Sequence, residues 1–409
     1  MEPAGHGPEV VAAGVDHPAA IARLVGARAA REREGLLRRL RTFERADGGH
    51  VVLGGRRLLN FSGNDYLGLA GHPAVVAALR EAAIEHGAGA TAAHLVCGHR
   101  RPHAALEALL AEWTGRESAL LFSTGWMANL GVLQALLGAG DLCVQDRLNH
   151  ASLLDGARLA GCALRRYRHG DADAAARQLA QPGEGGVAVL ATDGVFSMDG
   201  DVAPLPALAR VAADAGATLM VDDAHGLGVL GPDGAGSVAA AGLDAGAVPV
   251  LMATLGKALG TAGAFVAGSR DLVEGLVQAA RTFVYTTAMP PALAAATAAA
   301  VGIARREHWR REHLAGLVAH FRAGAQRLGL PLAASETPIQ PLLVGAAGRA
   351  SALAAALETR GVLAVAIRPP TVPVGGARLR ITLSAAHARA DVDRLLAALA
   401  QVLEDGTAG

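Results

Sequence analysis

Short apolar segments alternate with helical segments about five times between residues 104 and 260 of this chain. Polar residues follow nearly every apolar segment and seldom precede one. This alternation is typical of a mostly parallel β-sheet with helices on both faces. Because the carboxyl ends of parallel strands meet at one edge of the sheet, the polar residues should gather there in a single site.

The strongest candidate for this site is the stretch from residue 219 to residue 260. One apolar run ends at Asp222 and His225, and a second run ends before Thr254 and Lys257. A lysine held among small and apolar residues loses hydration, which favours its neutral, nucleophilic amine. Such amines form Schiff bases with carbonyl compounds, including pyridoxal phosphate, and that cofactor also requires a carboxylate opposite its pyridine nitrogen. Asp222 and Lys257 could supply both groups.

A simpler interpretation makes Asp222 a helix cap and Lys257 a solvated surface charge. We would prefer it for a lone lysine. Here, however, both strands end in polar groups that would converge, and comparable strand-to-helix junctions lie upstream in the segments STGWMAN, DRLNHASLLDG and TDGVFSMDGD. Small residues at such a junction leave backbone N–H groups free at a helix start, which suits a phosphate.

Composition narrows the class of protein. The 409 residues are 52% hydrophobic and 18% charged, which is enough for one large and one smaller domain. Acidic and basic residues balance at 37 each, so we expect neither nucleic acid nor a membrane as a partner. The three scattered cysteines, Cys97, Cys143 and Cys162, indicate a reduced, cytoplasmic protein. The first twenty residues lack the features of a signal peptide.

The pattern divides the chain into four parts. We predict a flexible tail over 1–18, an N-terminal helix and hairpin over 19–60, a large cofactor-binding domain over 61–290, and a linking helix with a small C-terminal α+β domain over 291–409. Helical spacing covers residues 19–45, and a turn at Gly54-Gly55 predicts a hairpin over 51–61. A long, broken helix should cover 291–328, and one strand should cover 362–367.

Two motifs do not carry the function that they suggest. The spacing Gly87-x-Gly89-x-x-Ala92 matches a loose dinucleotide-binding pattern, but it follows a helix where a strand is required. His94, Cys97, His99 and His103 are all of metal-ligand type, yet no second, spaced ligand pair accompanies them. We therefore predict neither a nucleotide site nor a metal site here.

Six motifs, in order along the chain, resemble those of the α-oxoamine synthases, which are pyridoxal-phosphate enzymes of the aminotransferase-like fold (fold type I). The resemblance extends from about residue 20 to the end. It is carried by NFSGNDYLGL, DRLNHASLLDG, GVFSMDGD, VDDAHGLG, TLGKALG and IRPPTVPVGGARLRITLSAAH. It implies a decarboxylative condensation of an amino acid with an acyl thioester.

The resemblance also implies roles for individual residues around the cofactor. Lys257 holds pyridoxal phosphate as a Schiff base and moves the Cα proton of the amino acid, and Asp222 pairs with the pyridinium nitrogen. His150, the third catalytic candidate, stacks on the ring. The remaining cofactor contacts are His225 and Ser197 near the phenolic oxygen, Gly125, Trp126 and Thr254 at the phosphate, and Thr286 or Thr287 of the partner subunit in a homodimer with shared sites.

Substrate contacts follow in the same way. Asn64 and Arg380 are implied to bind the carboxylate of the amino acid, and Arg38 and Thr371 are implied to lie nearer the acyl donor. Trp126 departs from the family, which usually has a smaller aromatic residue at that position, and this could narrow the entrance. The loop ATAAH also carries alanine where glycine or serine is common.

The shared cofactor apparatus does not separate members of the family from one another. IRPPTVP and YTTAMPP resemble most the members that condense L-alanine with a pimeloyl thioester, carried on coenzyme A or on a carrier protein. Glycine C-acetyltransferase, 5-aminolevulinate synthase and serine palmitoyltransferase are the alternatives within the family. A doubly wound nucleotide-binding protein or a non-catalytic member is the alternative outside it.

Overall fold

The computed structural model describes residues 18–180 and 186–405. The predicted tail over residues 1–18 therefore lies outside the described residues except for its last position. Among the helices that are described, none combines the length and the apolar character needed to cross a membrane.

The described strands fall into three sheets. In chain order they are β1 (Arg45–Asp47), β2 (His50–Leu53), β3 (Arg56–Asn60), β4 (Ser118–Phe122), β5 (Leu142–Asp146), β6 (Ala163–Tyr167), β7 (Ala188–Asp193), β8 (Thr218–Asp222), β9 (Val250–Thr254), β10 (Ala264–Gly268), β11 (Ile339–Gly345), β12 (Val362–Leu363), β13 (Val365–Ile367) and β14 (Ala377–Thr382).

Helices connect and cover these strands. They are α1 (Ala19–Arg33), α2 (Pro73–His86), α3 (Arg101–Trp113), α4 (Gly125–Leu136), α5 (Ala151–Ala160), α6 (Ala172–Leu179), α7 (Leu205–Asp214), α8 (Ser237–Ala240), α9 (Arg270–Ala279), α10 (Arg281–Val284), α11 (Pro291–Arg306), α12 (Trp309–Arg327), α13 (Ala347–Thr359) and α14 (Arg389–Glu404). The break between α11 and α12 confirms the broken helix predicted over 291–328.

The central sheet has the strand order β4-β10-β9-β8-β7-β5-β6. Its strands run parallel except β10, which is antiparallel to both neighbours. Leu219, Met220 and Val221 of β8 are fully buried because both faces of the sheet are covered, which is why this strand is a continuous apolar run. The predicted α/β fold with a mostly parallel central sheet is confirmed.

The segment predicted as one strand over 362–367 serves two sheets. β12 pairs in parallel with β3 and completes a four-stranded sheet with the N-terminal hairpin, whereas β13 joins β14 and β11 in the small C-terminal sheet. Ala364 separates the two strands and is itself buried. The sequence pattern missed this change of sheet because both halves are equally apolar.

The helix predicted over 19–45 is wrong in its second half, because α1 ends at Arg33. Gly35 adopts a left-handed backbone with φ of 67°. Its N–H donates to the Glu32 carbonyl, and the Leu36 N–H donates to the Arg31 carbonyl. This pair of bonds is a Schellman motif, which satisfies the last carbonyls of a helix and turns the chain away. Helical spacing beyond residue 35 was therefore misleading.

Candidate active site

The carboxyl ends of β9, β8, β7 and β5 lie side by side in the sheet and border a cavity of about 210 Å³. Because each strand is followed by a short polar loop, the residues after it reach the same space. Eight of the residues predicted from the sequence line this cavity: Gly125, Trp126, His150, Ser197, Asp222, His225, Thr254 and Lys257.

Two carboxylates meet at the floor of the cavity. Asp193 of β7 and Asp222 of β8 are register partners in neighbouring parallel strands, and both are buried. Burial and then the charge of Asp222 raise the pKa of Asp193 well above its usual value. Asp222 accepts hydrogen bonds from Asn129 Nδ2 at 2.7 Å and from the Ala224 N–H at 3.0 Å. Both oxygens of Asp222 are therefore held by donors, which fixes the orientation of this carboxylate at the cavity.

Lys257 reaches the cavity from the loop after β9. Its Nζ lies 2.8 Å from Nε2 of His225. Burial lowers the pKa of Lys257 to about 8, against the opposing charges of Asp222 and Asp193. This is also the only lysine in the 409-residue sequence, so no other side chain of the chain offers an ε-amine. A lowered pKa makes the neutral, nucleophilic amine accessible near neutral pH.

A hydrogen-bonded chain leads from Lys257 to the predicted carboxylate-binding residues. The Tyr66 hydroxyl lies 2.7 Å from Nδ1 of His225, and the Arg380 guanidinium donates to that hydroxyl at 3.4 Å and to Asn64 Oδ1 at 3.2 Å. Arg380 Nε also donates to the Ser197 carbonyl at 2.6 Å. Arg380 and Asn64 thus stand next to the cavity and are linked to it through Tyr66.

His150 caps the start of α5 and is held by two neighbours. Its backbone N–H donates to the Asp193 carboxylate at 3.2 Å, and its Nδ1 lies 2.7 Å from the Ser152 hydroxyl. The Trp126 indole meets the imidazole edge to face, with ring centroids 5.8 Å apart. His150 therefore presents a fixed imidazole to the cavity, and the Trp126 indole occupies the space beside it.

The amino end of α4 also borders the cavity. Thr124 caps this helix by accepting the Met127 N–H at 3.1 Å, which leaves Gly125 and Trp126 lining the cavity in the first turn. Thr254 stands nearby and donates its hydroxyl to the Gly263 carbonyl at 3.0 Å. Free N–H groups at a helix start bind anions well, so this end suits a phosphate.

Four predicted residues lie away from this cavity. Arg38 and Thr371 line a second cavity of about 550 Å³, together with the basic residues Arg39 and Arg368. Thr286 and Thr287 follow α10, where Thr287 pairs with Ala93 in an isolated antiparallel bridge. Within one subunit the structure does not bring these four residues to Lys257.

Sequence reasoning missed Tyr66, Asn129 and Asp193. Asp193 could have been found, because it ends a buried strand in the same way as Asp222. Asn129 lies one helical turn inside α4 and joins Asp222 to the Ser152 hydroxyl, a link that only the tertiary structure reveals. Tyr66 lies inside the quoted motif NFSGNDYLGL but carries no signal of its own.

The histidines near residue 100 form a separate cluster. Ring nitrogens of His94, His99 and His103 lie within 4.8 Å of one another. His103 already uses both of its nitrogens, because Nδ1 accepts the Arg100 N–H and Nε2 donates to the Met289 carbonyl. A metal ion would have to displace one of these bonds, so we assign no metal to this cluster.

Comparison with known proteins identifies the family of this chain. A family model described as aminotransferase class I and II matches residues 56–399. The chain belongs to this family. As an aminotransferase class I and II protein, it is 61% identical to the 8-amino-7-oxononanoate synthase of Alkalilimnicola ehrlichii, over 92% of this chain and 96% of that protein. Identity to the 8-amino-7-oxononanoate synthase of Alcanivorax borkumensis is 58%, over 91% and 96% of the two chains.

Solved structures agree with this family. A serine palmitoyltransferase of S. paucimobilis with a bound PLP–myriocin aldimine superposes with a TM-score of 0.89 and 27% identity, over 94% of this chain and 98% of that chain. Within the aminotransferase class I and II family, the chain is therefore an α-oxoamine synthase, as the sequence motifs indicated.

Proposed function

We propose that this chain condenses L-alanine with a pimeloyl thioester to give 8-amino-7-oxononanoate, carbon dioxide and the free thiol, a step of biotin biosynthesis. The observation that carries the proposal is the 61% identity, over nearly the whole chain, to a relative named for this product. The geometry of the cavity supports it, because the chain retains an amine, a carboxylate and an anion-binding helix end around one space.

Pyridoxal phosphate fits the groups that line the cavity. The amine of Lys257 suits its aldehyde, the Asp222 carboxylate suits its ring nitrogen, and the first turn of α4 with Thr254 suits its phosphate. Asn129 lines the cavity, and its buried Oδ1 has no hydrogen-bond partner among the described residues, which is consistent with a polar ligand bound close by. When bound, this cofactor supplies an electron sink for negative charge that develops at the substrate Cα.

The side chains of this protein would then handle protons and charge. Asp222, held in place by Asn129 and the Ala224 N–H, would pair with the ring nitrogen and favour its protonated form. Lys257 would take the Cα proton from alanine, for which a pKa near 8 is well matched. Arg380 and Asn64 would hold the alanine carboxylate next to His225 and so fix the direction of the Cα–H bond.

A homodimer would complete the site. Leu95, Val96 and Tyr285 expose between 54% and 78% of their surface beside the strand bridge that holds Thr287. Large apolar side chains exposed together indicate a protein interface, and a second copy of the chain would bury them. In that arrangement Thr286 or Thr287 would reach the phosphate in the partner subunit. We also infer a cytoplasmic location, since all three cysteines are free.

Substrate competition tests the proposed reaction. The purified, cofactor-loaded protein is given L-alanine with pimeloyl-coenzyme A or pimeloyl-carrier protein, and in parallel glycine with acetyl- or succinyl-coenzyme A and L-serine with palmitoyl-coenzyme A. We expect release of carbon dioxide and thiol only with alanine and a pimeloyl donor, and none from a Lys257→Ala control. Turnover with glycine or serine alone would assign the chain to a sister enzyme.

A further inference from the structure

We propose that the Tyr66 hydroxyl fixes the proton on Nε2 of His225 and thereby holds Lys257 as a neutral amine, linking it to the substrate-binding Arg380. This positioning role is not among those implied by the sequence motifs. It rests on the proposed function of Lys257 as the reacting amine, but it can be tested without any substrate.

The direction of each hydrogen bond in this group follows from Arg380, because its guanidinium can only donate. It donates to the Tyr66 oxygen at 3.4 Å and to Asn64 Oδ1 at 3.2 Å. The Tyr66 oxygen therefore accepts, and its own hydrogen is free to donate. His225 Nδ1 at 2.7 Å is a closer acceptor than Asn64 Oδ1 at 3.3 Å, which Arg380 already serves.

A hydrogen bond donated to Nδ1 of His225 determines which ring nitrogen carries the hydrogen. A neutral imidazole that accepts at Nδ1 carries its hydrogen on Nε2. Nε2 lies 2.8 Å from Lys257 Nζ and donates to it. An ammonium has no lone pair to accept this bond, so the arrangement selects the neutral amine.

The surroundings favour the same protonation states. Tyr66 and His225 are buried, and burial raises the pKa of Tyr66 and lowers the pKa of His225, so both stay neutral. Arg380 lowers the pKa values of Tyr66, His225 and Lys257, while Asp222 and Asp193 raise the pKa of Lys257. His150 also faces this group and lowers the pKa of His225. The tyrosine hydroxyl is the one member that touches both Arg380 and His225.

A Tyr66→Phe variant removes the hydroxyl and keeps the ring in the core. His225 is then free to move its hydrogen to Nδ1 and accept from the Lys257 ammonium at Nε2, which favours the charged lysine. Tyr167→Phe is the matched control, since Tyr167 is equally buried and its hydroxyl takes no part in the hydrogen bonds that join Arg380, His225 and Lys257.

The sole lysine makes the measurement direct. The cofactor-free, full-length proteins are reacted with an amine-selective acylating reagent between pH 6 and 10, and modification of Lys257 is quantified by peptide mass, apart from the N-terminal amine. We expect the wild type and Tyr167→Phe to titrate alike near pH 8. Tyr66→Phe should titrate about one pH unit higher, which is a roughly tenfold slower reaction at pH 7. Superimposable profiles for Tyr66→Phe and the wild type would overturn the proposal.

Two further readouts separate this role from a structural one. In the loaded enzyme, the kcat of Tyr66→Phe should recover when the pH is raised, which a damaged fold would not do. In the wild type, ¹⁵N shifts of His225, assigned by their loss in His225→Asn, should show the hydrogen on Nε2. A hydrogen on Nδ1 would contradict the proposal even if Tyr66→Phe failed to fold. Neither the labelling nor the ¹⁵N measurement depends on which thioester the enzyme accepts.

Discussion

Neighbouring acidic residues at the end of β8 point to different parts of the molecule. Asp222 lines the cavity, whereas Asp223 is fully buried and accepts both the backbone N–H and the hydroxyl of Ser237, at 2.7 and 2.6 Å. Burial raises the pKa of Asp223 to about 7, against the two bonds from Ser237. Asp222 is therefore the carboxylate proposed to serve the chemistry, and Asp223 fastens the start of α8 to the sheet.

Exchanging each aspartate for asparagine separates the two roles. Asp222→Asn should retain the fold and part of its cofactor binding but lose about 10²–10³-fold in kcat, because the ring nitrogen would lose its charged partner. Asp223→Asn should retain turnover per folded molecule and lose about 1–3 kcal/mol in the free energy of unfolding, because an amide donor would face the Ser237 N–H. Steady-state kinetics and urea unfolding measure the two effects. Wild-type kcat in Asp222→Asn would remove this residue from the mechanism.

The sequence predicted those residues whose position follows from the strand they end. Asp222 and Lys257 follow continuous apolar runs, so their convergence at the sheet edge could be inferred from strand direction alone. Tyr66 could not be inferred, because its contacts with His225 and Arg380 join segments more than 150 residues apart. The end of α1 at Arg33 could not be inferred either, because the helical spacing of the sequence continues beyond Gly35, whose left-handed backbone ends the helix. The hydrophobic pattern of a segment indicates which of its faces is buried. It does not indicate which distant loops come into contact, because tertiary packing determines that.

At the scale of an element, the loop after β9 is shaped by close backbone contact. Gly260 has a left-handed φ of 66° and donates its N–H to the Lys257 carbonyl at 2.9 Å. A Cβ at this position would lie 2.2 Å from the backbone nitrogen of Ala70. The segment that presents Lys257 is thus pressed against the segment that carries Tyr66, which fixes their relative positions.

Gly260→Ala tests this contact, and Gly275→Ala is its control. Gly260→Ala combines a strained φ with a backbone clash, so it should lower the free energy of unfolding by at least about 1–3 kcal/mol and reduce cofactor affinity. Gly275 lies exposed inside α9 with nothing within 4 Å of its added Cβ, so alanine there should stabilise the protein by about 0.5–1 kcal/mol. Thermal unfolding with cofactor titration measures both. Equal stability of the two variants would show that the loop is free to move.

Across the whole molecule, β12 and β13 join regions that are far apart in sequence. Val362 and Leu363 lie beside Leu59 and Asn60 of the N-terminal hairpin, and the next strand belongs to the C-terminal sheet with Arg380. Residues near both ends of the described chain are therefore tied to the part that is proposed to bind the amino acid. The domain boundaries near residues 60 and 290 stay a prediction.

Mixing two inactive variants tests whether a second copy completes each site. A Lys257→Ala chain and a Thr286→Ala/Thr287→Ala chain should each be strongly impaired. When equal amounts are dissociated and reassociated, half of the dimers are mixed, and each mixed dimer holds one intact site. We expect recovery of about a quarter of the wild-type turnover in a shared-site homodimer. No recovery, despite mixed dimers in native mass spectra, would mean that each subunit builds its site alone.

The placement of the sole lysine has a consequence for damage in the cell. Sugars and cyanate attack free amines, and in most proteins they modify many surface lysines with little effect. Here the N-terminal amine and Lys257 are the only primary amines in the sequence, and Lys257 faces the cavity. With Lys257 as the proposed reacting amine, glycation or carbamylation of this one side chain would inactivate the molecule, and a molecule whose cavity is filled would be shielded from both.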